Sequence, residues 1–287
     1  MSEKSNFERS HDFPTGVLVE TTIRCPADCI ICPNKKIKNR PKDMSWSLFK
    51  KIVDDCRNKQ VKEFCPFIHG ETLSWKYLEK GLDYLSLMLP DTGVVIYTNG
   101  YLLDSSKTKL LLRDNISEVH FSIDGLSKQV YEQHRRGLVY ERVLANVIGF
   151  LAELHKSKRR IKTHVAFTST PQNQCEVEAF RLFWEGLVDA VEIIPCDGRG
   201  GEERLPAFTD GRQLPCFQVA SHMYILTDGS VVPCCKDWAG YTIMGNMSEQ
   251  SLESIWNSKE YRLFRNDINH GTTPAAEVCH RCLTDQL

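Results

Sequence analysis

Hydrophobic residues along this chain follow two alternating patterns. Short runs rich in β-branched and aromatic residues are followed by longer stretches in which hydrophobic residues recur every three or four positions, as in strands that alternate with helices. The helical period is clearest at Val143, Leu144, Val147, Ile148, Leu151 and Leu154. The predicted strands are 16–22, 63–68, 93–98, 117–122, 162–168 and 190–194. The predicted helices are 45–58, 75–89, 105–114, 127–156 and 175–187.

Six successive βα units predict an α/β fold with a parallel sheet and right-handed crossovers. Six units are fewer than the eight of a closed barrel, so we expect an open, partial (β/α)6 barrel. Such sheets place ligands in the loops that follow the carboxyl ends of their strands. Functional residues should therefore come directly after the predicted strands.

The last third of the chain has a different character. A Gly-rich, charged segment at 196–215 reads as a linker or an active-site loop. After it, Asp228-Gly229 between the hydrophobic runs 223–226 and 231–233 predicts a β-hairpin, and a helical pattern follows. We therefore divide the chain into a lead-in at 1–14, the barrel at 15–200, and a small hairpin-plus-helix domain at 201–287.

Composition narrows the functional classes. The 287 residues carry a net charge of −1, so no overall field favours nucleic acid. No hydrophobic run is long enough to span a membrane and no signal peptide is evident, so we expect a cytoplasmic protein without membrane or nucleic-acid partners. In that reducing compartment the 12 cysteines need an explanation other than disulfides.

The first cysteine group is a C-x3-C-x2-C triplet, Cys25, Cys29 and Cys32, directly after the first predicted strand. Three thiolates on one loop can each bind an iron of a [4Fe–4S] cluster and leave the fourth iron without a protein ligand. A zinc knuckle is the alternative, but the following residues 33–36 offer no fourth Cys or His.

The second group lies in the last third and comprises Cys216, Cys234, Cys279 and Cys282. Four thiolates brought together by a hairpin and a terminal C-x2-C would complete the coordination of a [4Fe–4S] cluster or of zinc. Cys235 is left over. If Cys234 points at the metal from a strand, Cys235 faces the other side, either as an inert buried thiol or as a hydrogen-atom donor to substrate.

In spacing, the triplet resembles that of the radical S-adenosylmethionine enzymes, whose open iron is chelated by the methionine amino and carboxylate groups. The last third resembles the auxiliary-cluster extension known as the SPASM or twitch domain. The resemblance implies two [4Fe–4S] clusters and S-adenosylmethionine as cofactors. It also implies cofactor-lining residues at the later strand ends and a cofactor-carboxylate arginine: Gly70, Glu71, Thr98, Asn99, Ser122, Asp124 and Arg135.

The resemblance further implies that a 5′-deoxyadenosyl radical abstracts a hydrogen atom from a small-molecule substrate, with electrons from a donor such as flavodoxin or ferredoxin. We expect an oxidoreductase that acts on a hydroxylated compound of the aminocyclitol or sugar type, with the second cluster handling an electron. One alternative is an epimerase that uses Cys235 as hydrogen-atom donor. A peptide-modifying enzyme is less expected, because only 24 residues precede Cys25. A zinc-stapled, non-enzymatic module is the last alternative.

Overall fold

The computed structural model describes residues 12–196, 216–272 and 276–284. The strands are β1 Gly16–Val19, β2 Asp28–Cys29, β3 Glu63–Cys65, β4 Gly93–Thr98, β5 Ile116–Ser122, β6 Arg135–Arg136, β7 Lys162–Ser169, β8 Ala190–Pro195, β9 His222–Ile225, β10 Ser230–Val232 and β11 Gly245–Asn246. The helices are α1 Trp46–Cys56, α2 Leu78–Met88, α3 Ser105–Leu111, α4 Lys128–His134, α5 Tyr140–Ser157, α6 Val177–Trp184, α7 Phe217–Ser221, α8 Leu252–Trp256, α9 Lys259–Asn269 and α10 Glu277–Thr284.

One nine-stranded sheet organises the described residues, in the order β11-β10-β9-β1-β3-β4-β5-β7-β8. Every neighbouring pair from β9 to β8 is parallel, and only β10 runs antiparallel to its neighbours. Because β11 and β8 are the two edges, the sheet does not close. The α/β prediction and the open, partial barrel are confirmed.

The two faces of the sheet have different neighbours. On one face, hydrophobic residues of the strands pack against the helices, as in the ring pairs Phe121–Phe150 at 5.5 Å and Phe167–Phe180 at 4.8 Å. Side chains alternate along a strand, so the residues between them point to the opposite face, the inside of the barrel. There β5 and β7 carry polar residues, including His120 and His164. The barrel therefore has a hydrophobic outer layer and a polar interior.

The predicted hairpin at residues 223–234 is present as β9 and β10, and it joins the barrel sheet. Strand β9 pairs in parallel with β1, from Gly16 opposite His222 to Val19 opposite Ile225. The sequence alone could not show this pairing, because the partners are about 206 positions apart. The domain boundary predicted at 200/201, the Gly-rich segment 197–215 and most of the lead-in at 1–14 lie outside the described residues.

Two local predictions are wrong. The helix predicted over 127–156 is two helices, α4 and α5, because β6 and Gly137, at φ +86°, turn the chain between them. The strand that was expected to carry Cys234 ends at Val232, since Pro233 has no N–H to continue the ladder. Cys234 and Cys235 therefore lie in a turn, where strand alternation does not apply.

Within the described residues, no helix is long and hydrophobic enough to cross a membrane.

Candidate active site

The triplet Cys25, Cys29 and Cys32 lies on the loop after β1, at the carboxyl end of the parallel strands. The middle of this loop forms β2, which pairs antiparallel with β6, so that Cys29 lies opposite Arg135. The three thiols are close enough to affect each other's ionisation. Burial, and to a lesser extent Glu71 and the other two thiols, raises the pKa of Cys25 to about 12. The free thiol therefore stays protonated at neutral pH, and a bound metal would be needed to hold the thiolate.

Glu71 ties two neighbouring strand ends together below this loop. Its carboxylate accepts hydrogen bonds from Thr98 Oγ1 at 2.7 Å, from the Asn99 backbone N–H at 2.8 Å and from the Leu73 N–H at 3.0 Å. Burial raises its pKa, although these donors oppose the shift. The side-chain amide of Asn99 reaches Cys25 Sγ at 3.7 Å. The predicted residues Glu71, Thr98 and Asn99 thus form one unit beside the cysteine loop.

Gly70 precedes Glu71 in a conformation that only glycine adopts readily, at φ +79°. A Cβ at this position would lie 2.3 Å from the carbonyl oxygen of Thr22. The backbone of the strand-end loop therefore runs against the backbone that leads into the cysteine loop. Space, as well as dihedral angle, requires glycine here.

Arg135 and Asp124 are also brought together. Arg135 Nη2 lies 2.8 Å from Asp124 Oδ2, and Nη1 donates to Cys29 Sγ at 3.8 Å. Asp124 is fixed by the backbone N–H of Thr168, which donates to Oδ1 at 2.8 Å. Ser122 ends β5 opposite Ala166 and is half-buried. A buried positive charge is thus held beside the cysteine loop.

A buried ionic group that sequence reasoning missed connects this site to the hairpin. Glu20, directly after β1, contacts His69 Nδ1 at 2.8 Å and Arg40 Nη2 at 3.1 Å, and accepts from the Thr227 N–H at 3.1 Å. Arg40 Nη1 also donates to the Trp238 carbonyl at 2.6 Å. Arg40 lies among the basic residues between Lys35 and Lys42, yet only 7% of its side chain is exposed.

The four cysteines of the last third come from three elements. Cys216 precedes α7, Cys234 follows β10, and Cys279 and Cys282 lie one turn apart on α10, where residues three apart share a face. Burial, and to a lesser extent Cys216 and Cys282, raises the pKa of Cys279 to about 12. Burial also raises the pKa of Cys234, and Cys235, Cys279 and Cys216 act in the same direction. The structure therefore brings the four predicted thiols into one group.

A cavity of about 310 Å³ lies between the two cysteine groups. Ile31 of the cysteine loop lines one side, and Cys235 and Lys236 of the hairpin turn line another. The remaining lining residues are Leu18, Glu63, Phe67, Ile68, Tyr97, Thr168, Ile194, Pro195, Cys196, Gln218, His222 and Tyr224. Cys235 therefore lines the cavity, whereas Cys234 is not among its lining residues.

A family comparison covers the part of the chain that carries the first cysteine group. The model of the Radical SAM superfamily matches residues 19–180, more than half of the chain. The chain belongs to the radical S-adenosylmethionine superfamily. Within this radical SAM enzyme, residues 216–283 match a second model, SPASM, an iron-sulfur cluster-binding domain.

Curated relatives have diverged far in sequence. The chain is 21% identical over 266 residues to the S-adenosyl-L-methionine-dependent 2-deoxy-scyllo-inosamine dehydrogenase of Niallia circulans, covering 92% of this chain and 90% of the relative. It is 23% identical over 308 residues to a tungsten-containing aldehyde ferredoxin oxidoreductase cofactor-modifying protein of Pyrococcus furiosus, covering 91% of this chain and 86% of the relative.

Solved structures share the fold. BtrN, in complex with AdoMet and 2-DOIA, superposes with a TM-score of 0.67 at 19% identity, covering 93% of this chain and 92% of that chain. Streptococcus suis SuiB, bound to precursor peptide SuiA, superposes with a TM-score of 0.70 at 13% identity, covering 88% of this chain and 67% of that chain.

[4Fe–4S] clusters and S-adenosylmethionine are therefore the cofactors of this radical SAM enzyme, and the donor sets fit them. Three thiols from one loop, and four more from three separate elements of the last third, are the ligands that iron–sulfur clusters use. Asn99 and Arg135 place N–H donors beside Cys25 and Cys29, and such donors stabilise sulfur ligands. Membership of the superfamily favours an enzyme over a zinc-stapled, non-enzymatic module.

Proposed function

We propose that this radical SAM enzyme is an oxidoreductase that removes a hydrogen atom from a carbon of a hydroxylated small molecule of the aminocyclitol or sugar type. The observation that carries the proposal is the cavity between the two cysteine groups, whose volume of about 310 Å³ suits a single small ring. The dehydrogenase from Niallia circulans, of which the match covers 90%, is named for its action on such a compound.

Polar groups on the barrel side of the cavity suit a hydroxylated substrate. Glu63 Oε1 lies 2.6 Å from His222 Nε2, and His222 Nδ1 lies 2.8 Å from Ser221 Oγ. The chain Glu63–His222–Ser221 can accept a proton from a substrate hydroxyl and pass it away from the cavity. We assign Glu63 as the group that takes this proton, because 42% of its side chain is exposed and it lines the cavity.

When bound, S-adenosylmethionine and the clusters supply one-electron chemistry, so that a hydrogen atom leaves carbon, a proton leaves the hydroxyl and an electron passes to the auxiliary cluster. The protein must hold the reacting carbon towards the cysteine loop and keep water out. Ile31, Ile68 and Ile194 give the cavity hydrophobic walls for this purpose. Proton loss to Glu63 makes the remaining electron easier to remove, which completes a two-electron alcohol oxidation.

An epimerase is the second candidate, and the position of Cys235 favours it. Cys235 lines the same cavity as Ile31 of the cysteine loop. A thiol there can return a hydrogen atom to the face of the substrate opposite the one from which it was taken. A peptide substrate is the third candidate, since SuiB is named as binding a precursor peptide, but the cavity volume suits a small molecule or a single side chain.

The enzyme also needs an electron donor. We propose a flavodoxin or a ferredoxin of the reducing cytoplasm. Exposed Arg24, Lys35 and Lys42 line a cleft that Cys25 also lines. Such carriers are acidic, and a basic rim would orient them towards the cysteine loop by charge.

The deciding experiment incubates the anaerobic, reduced enzyme with S-adenosylmethionine and a panel of aminocyclitols and sugars, and quantifies 5′-deoxyadenosine and product. An oxidoreductase gives a ketone in amounts equal to 5′-deoxyadenosine. In deuterated water, an epimerase gives an inverted product with one carbon-bound deuterium, delivered by the exchangeable thiol.

Two variants separate these outcomes. Glu63→Gln should lower ketone formation about 100-fold while 5′-deoxyadenosine is still made, in line with the contribution of a general base. Cys235→Ala should abolish inversion and leave oxidation unchanged, and Cys175→Ala, at an exposed cysteine, is the matched control. Failure of every hydroxylated compound to stimulate 5′-deoxyadenosine formation contradicts the proposed substrate class.

A further inference from the structure

Four ionisable side chains meet inside the barrel, outside the cysteine groups and the cavity lining. Glu118 and His120 lie on β5, His164 on β7 and Glu192 on β8. The rings of His120 and His164 stack at 4.1 Å between centroids, with an interplanar angle of 17°. Glu118 Oε2 lies 3.2 Å from His120 Nε2 and 3.7 Å from His164 Nε2. Glu192 Oε1 lies on the other side of the stack, 2.8 Å from His164 Nδ1.

The hydrogen bond to Glu192 fixes the tautomer of His164. A carboxylate accepts, so His164 Nδ1 must carry the proton, and Nε2 of the neutral ring keeps its lone pair. That lone pair faces the carboxylate oxygen of Glu118, another acceptor. His164 Nε2 is buried without a hydrogen-bond partner. A cation between these two acceptors would satisfy both of them.

His120 adds a second nitrogen at the same point. Only 8% of its side chain is exposed, and its Nδ1 is buried without a hydrogen-bond partner, 3.9 Å from Glu192 Oε1. If Nδ1 carries the proton, it points to the Glu192 carboxylate, and Nε2 is free to act as a ligand towards Glu118. The same tautomer in both rings thus presents two Nε2 atoms and one carboxylate oxygen to one position.

We propose that Glu118, His120 and His164 bind a divalent transition-metal ion, with Glu192 as the outer carboxylate that orients His164. One ligand atom from each of the three residues lies within 4.8 Å of the other two. Bonds of about 2.0–2.1 Å in a tetrahedral site put ligand atoms about 3.3 Å apart, so the three atoms, which now lie within 4.8 Å of one another, must move closer together to bind one ion. Two imidazoles and a carboxylate suit Zn²⁺ or Fe²⁺ and leave a position for water.

The carboxylate–histidine–metal arrangement is the usual outer shell of such sites, because it fixes the ring and raises its basicity. The ion would join β5 and β7 directly and reach the edge strand β8 through Glu192. Tyr97 separates it from the substrate cavity: its ring stacks on His120 at 4.4 Å and itself lines the cavity. Lys162, 69% exposed, contacts Glu118 Oε1 at 3.3 Å and leaves Oε2 to the ion.

Zinc content and zinc X-ray absorption of the cluster-loaded enzyme test this site. The enzyme is equilibrated with Zn²⁺, freed of loose metal, and analysed for zinc and iron. We expect about one zinc per chain, with nitrogen and oxygen neighbours at about 2.0–2.1 Å and no sulfur at about 2.3 Å, the distance of a cysteine ligand.

Variants at two of the three ligands and at the outer carboxylate decide the assignment. Glu118→Gln and His164→Asn should each lose the zinc while keeping the iron of the wild type, which reports an intact fold. Glu192→Gln should lower zinc affinity about 10- to 100-fold in a chelator competition, the usual effect of an outer-shell partner. Glu63→Gln, in a barrel His–Glu pair outside the triad, should bind zinc as the wild type does. Sulfur neighbours, no zinc in the wild type, or unchanged zinc in both ligand variants would overturn the proposal.

Discussion

Arg135 and Asp124 form an ion pair at the mouth of the barrel, with 2.8 Å between Nη2 and Oδ2 and side-chain exposures of 12% and 1%. The other terminal nitrogen of the same guanidinium points at Cys29 Sγ. Asp124 therefore sets the position of a positive charge beside the cysteine loop. Such a charge can bind the carboxylate of S-adenosylmethionine and stabilise the sulfur ligands.

Replacing Arg135 by Ala should weaken S-adenosylmethionine binding about 10- to 100-fold, the equivalent of one hydrogen bond to a charged group. Arg135→Lys should recover only part of the loss, because an ammonium lacks the planar fork that holds two partners. Binding measured by isothermal titration under argon tests this. Arg136→Ala is the matched control, since that neighbouring side chain is 57% exposed. An equal loss in both variants would show that the effect is not specific to the buried guanidinium.

Removing one cysteine from either group should remove one cluster. If both groups hold four-iron clusters, the wild type carries about eight irons per chain, and Cys29→Ala or Cys279→Ala should each carry about four. Only Cys29→Ala should also lose the spectral change on adding S-adenosylmethionine, because we assign the open iron to the first group. Cys175→Ala should keep all the iron. Equal spectral losses in both cluster variants contradict this division of roles.

Glu20 should make stability depend on pH in the acid range. Burial alone would raise its pKa, but His69, Arg40 and Thr227 outweigh burial and lower it below the ordinary value. A lowered folded-state pKa stabilises the protein above the unfolded-state pKa, and that contribution is lost as pH falls through the folded-state value. Glu20→Gln should therefore lower the free energy of unfolding by about 3 kcal/mol at pH 7, as when a buried pair is broken.

The difference between wild type and Glu20→Gln should shrink as the pH falls below about 4, since protonated Glu20 resembles the amide. Urea unfolding followed by tryptophan fluorescence from pH 7 to pH 3.5 measures it. Glu249→Gln, at an exposed position, serves as the control. A difference that stays constant over this range would mean that the glutamine disturbs packing and not charge.

Gly70→Ala should be more harmful than Gly186→Ala. Both glycines have positive φ, +79° and +80°, but the added Cβ meets Thr22 O at 2.3 Å only at position 70, whereas nothing lies within 4 Å at position 186. Gly186→Ala should cost about 1 kcal/mol of stability, from backbone strain alone. Gly70→Ala should cost more and displace the cysteine loop, lowering iron incorporation. Thermal melting and iron content measure both effects, and equal values would remove the steric argument.

The sequence predicts most of this fold because its main elements depend on local patterns. Hydrophobic periodicity locates the barrel strands, and the strand-end rule then collects Glu71, Thr98, Asn99 and Asp124 on one edge. The cysteine spacings predict two metal groups without any knowledge of the fold. To predict these features, it is enough to know the neighbouring residues in the sequence and one general property of parallel sheets.

The missed features depend on partners distant in sequence. The end of α4 is set by the pairing of β6 with β2, over 100 positions away, which no helical period can show. From the sequence alone, Arg40 resembles an exposed basic residue. In the folded chain it contacts Glu20 and Trp238. The polar interior of the barrel was not predicted. Around His120 and His164, polar and hydrophobic residues alternate in the same way as in any strand with one face exposed to solvent.

The parallel pairing of β1 with β9 has a consequence for biosynthesis. One side of β1, the strand that leads into the first cysteine loop, has no partner until residues 222–225 have left the ribosome. The barrel cannot complete its sheet until then, and the nascent chain must carry an unpaired hydrophobic strand through most of its synthesis. This topology therefore requires that chaperones protect the nascent chain and that iron is inserted late.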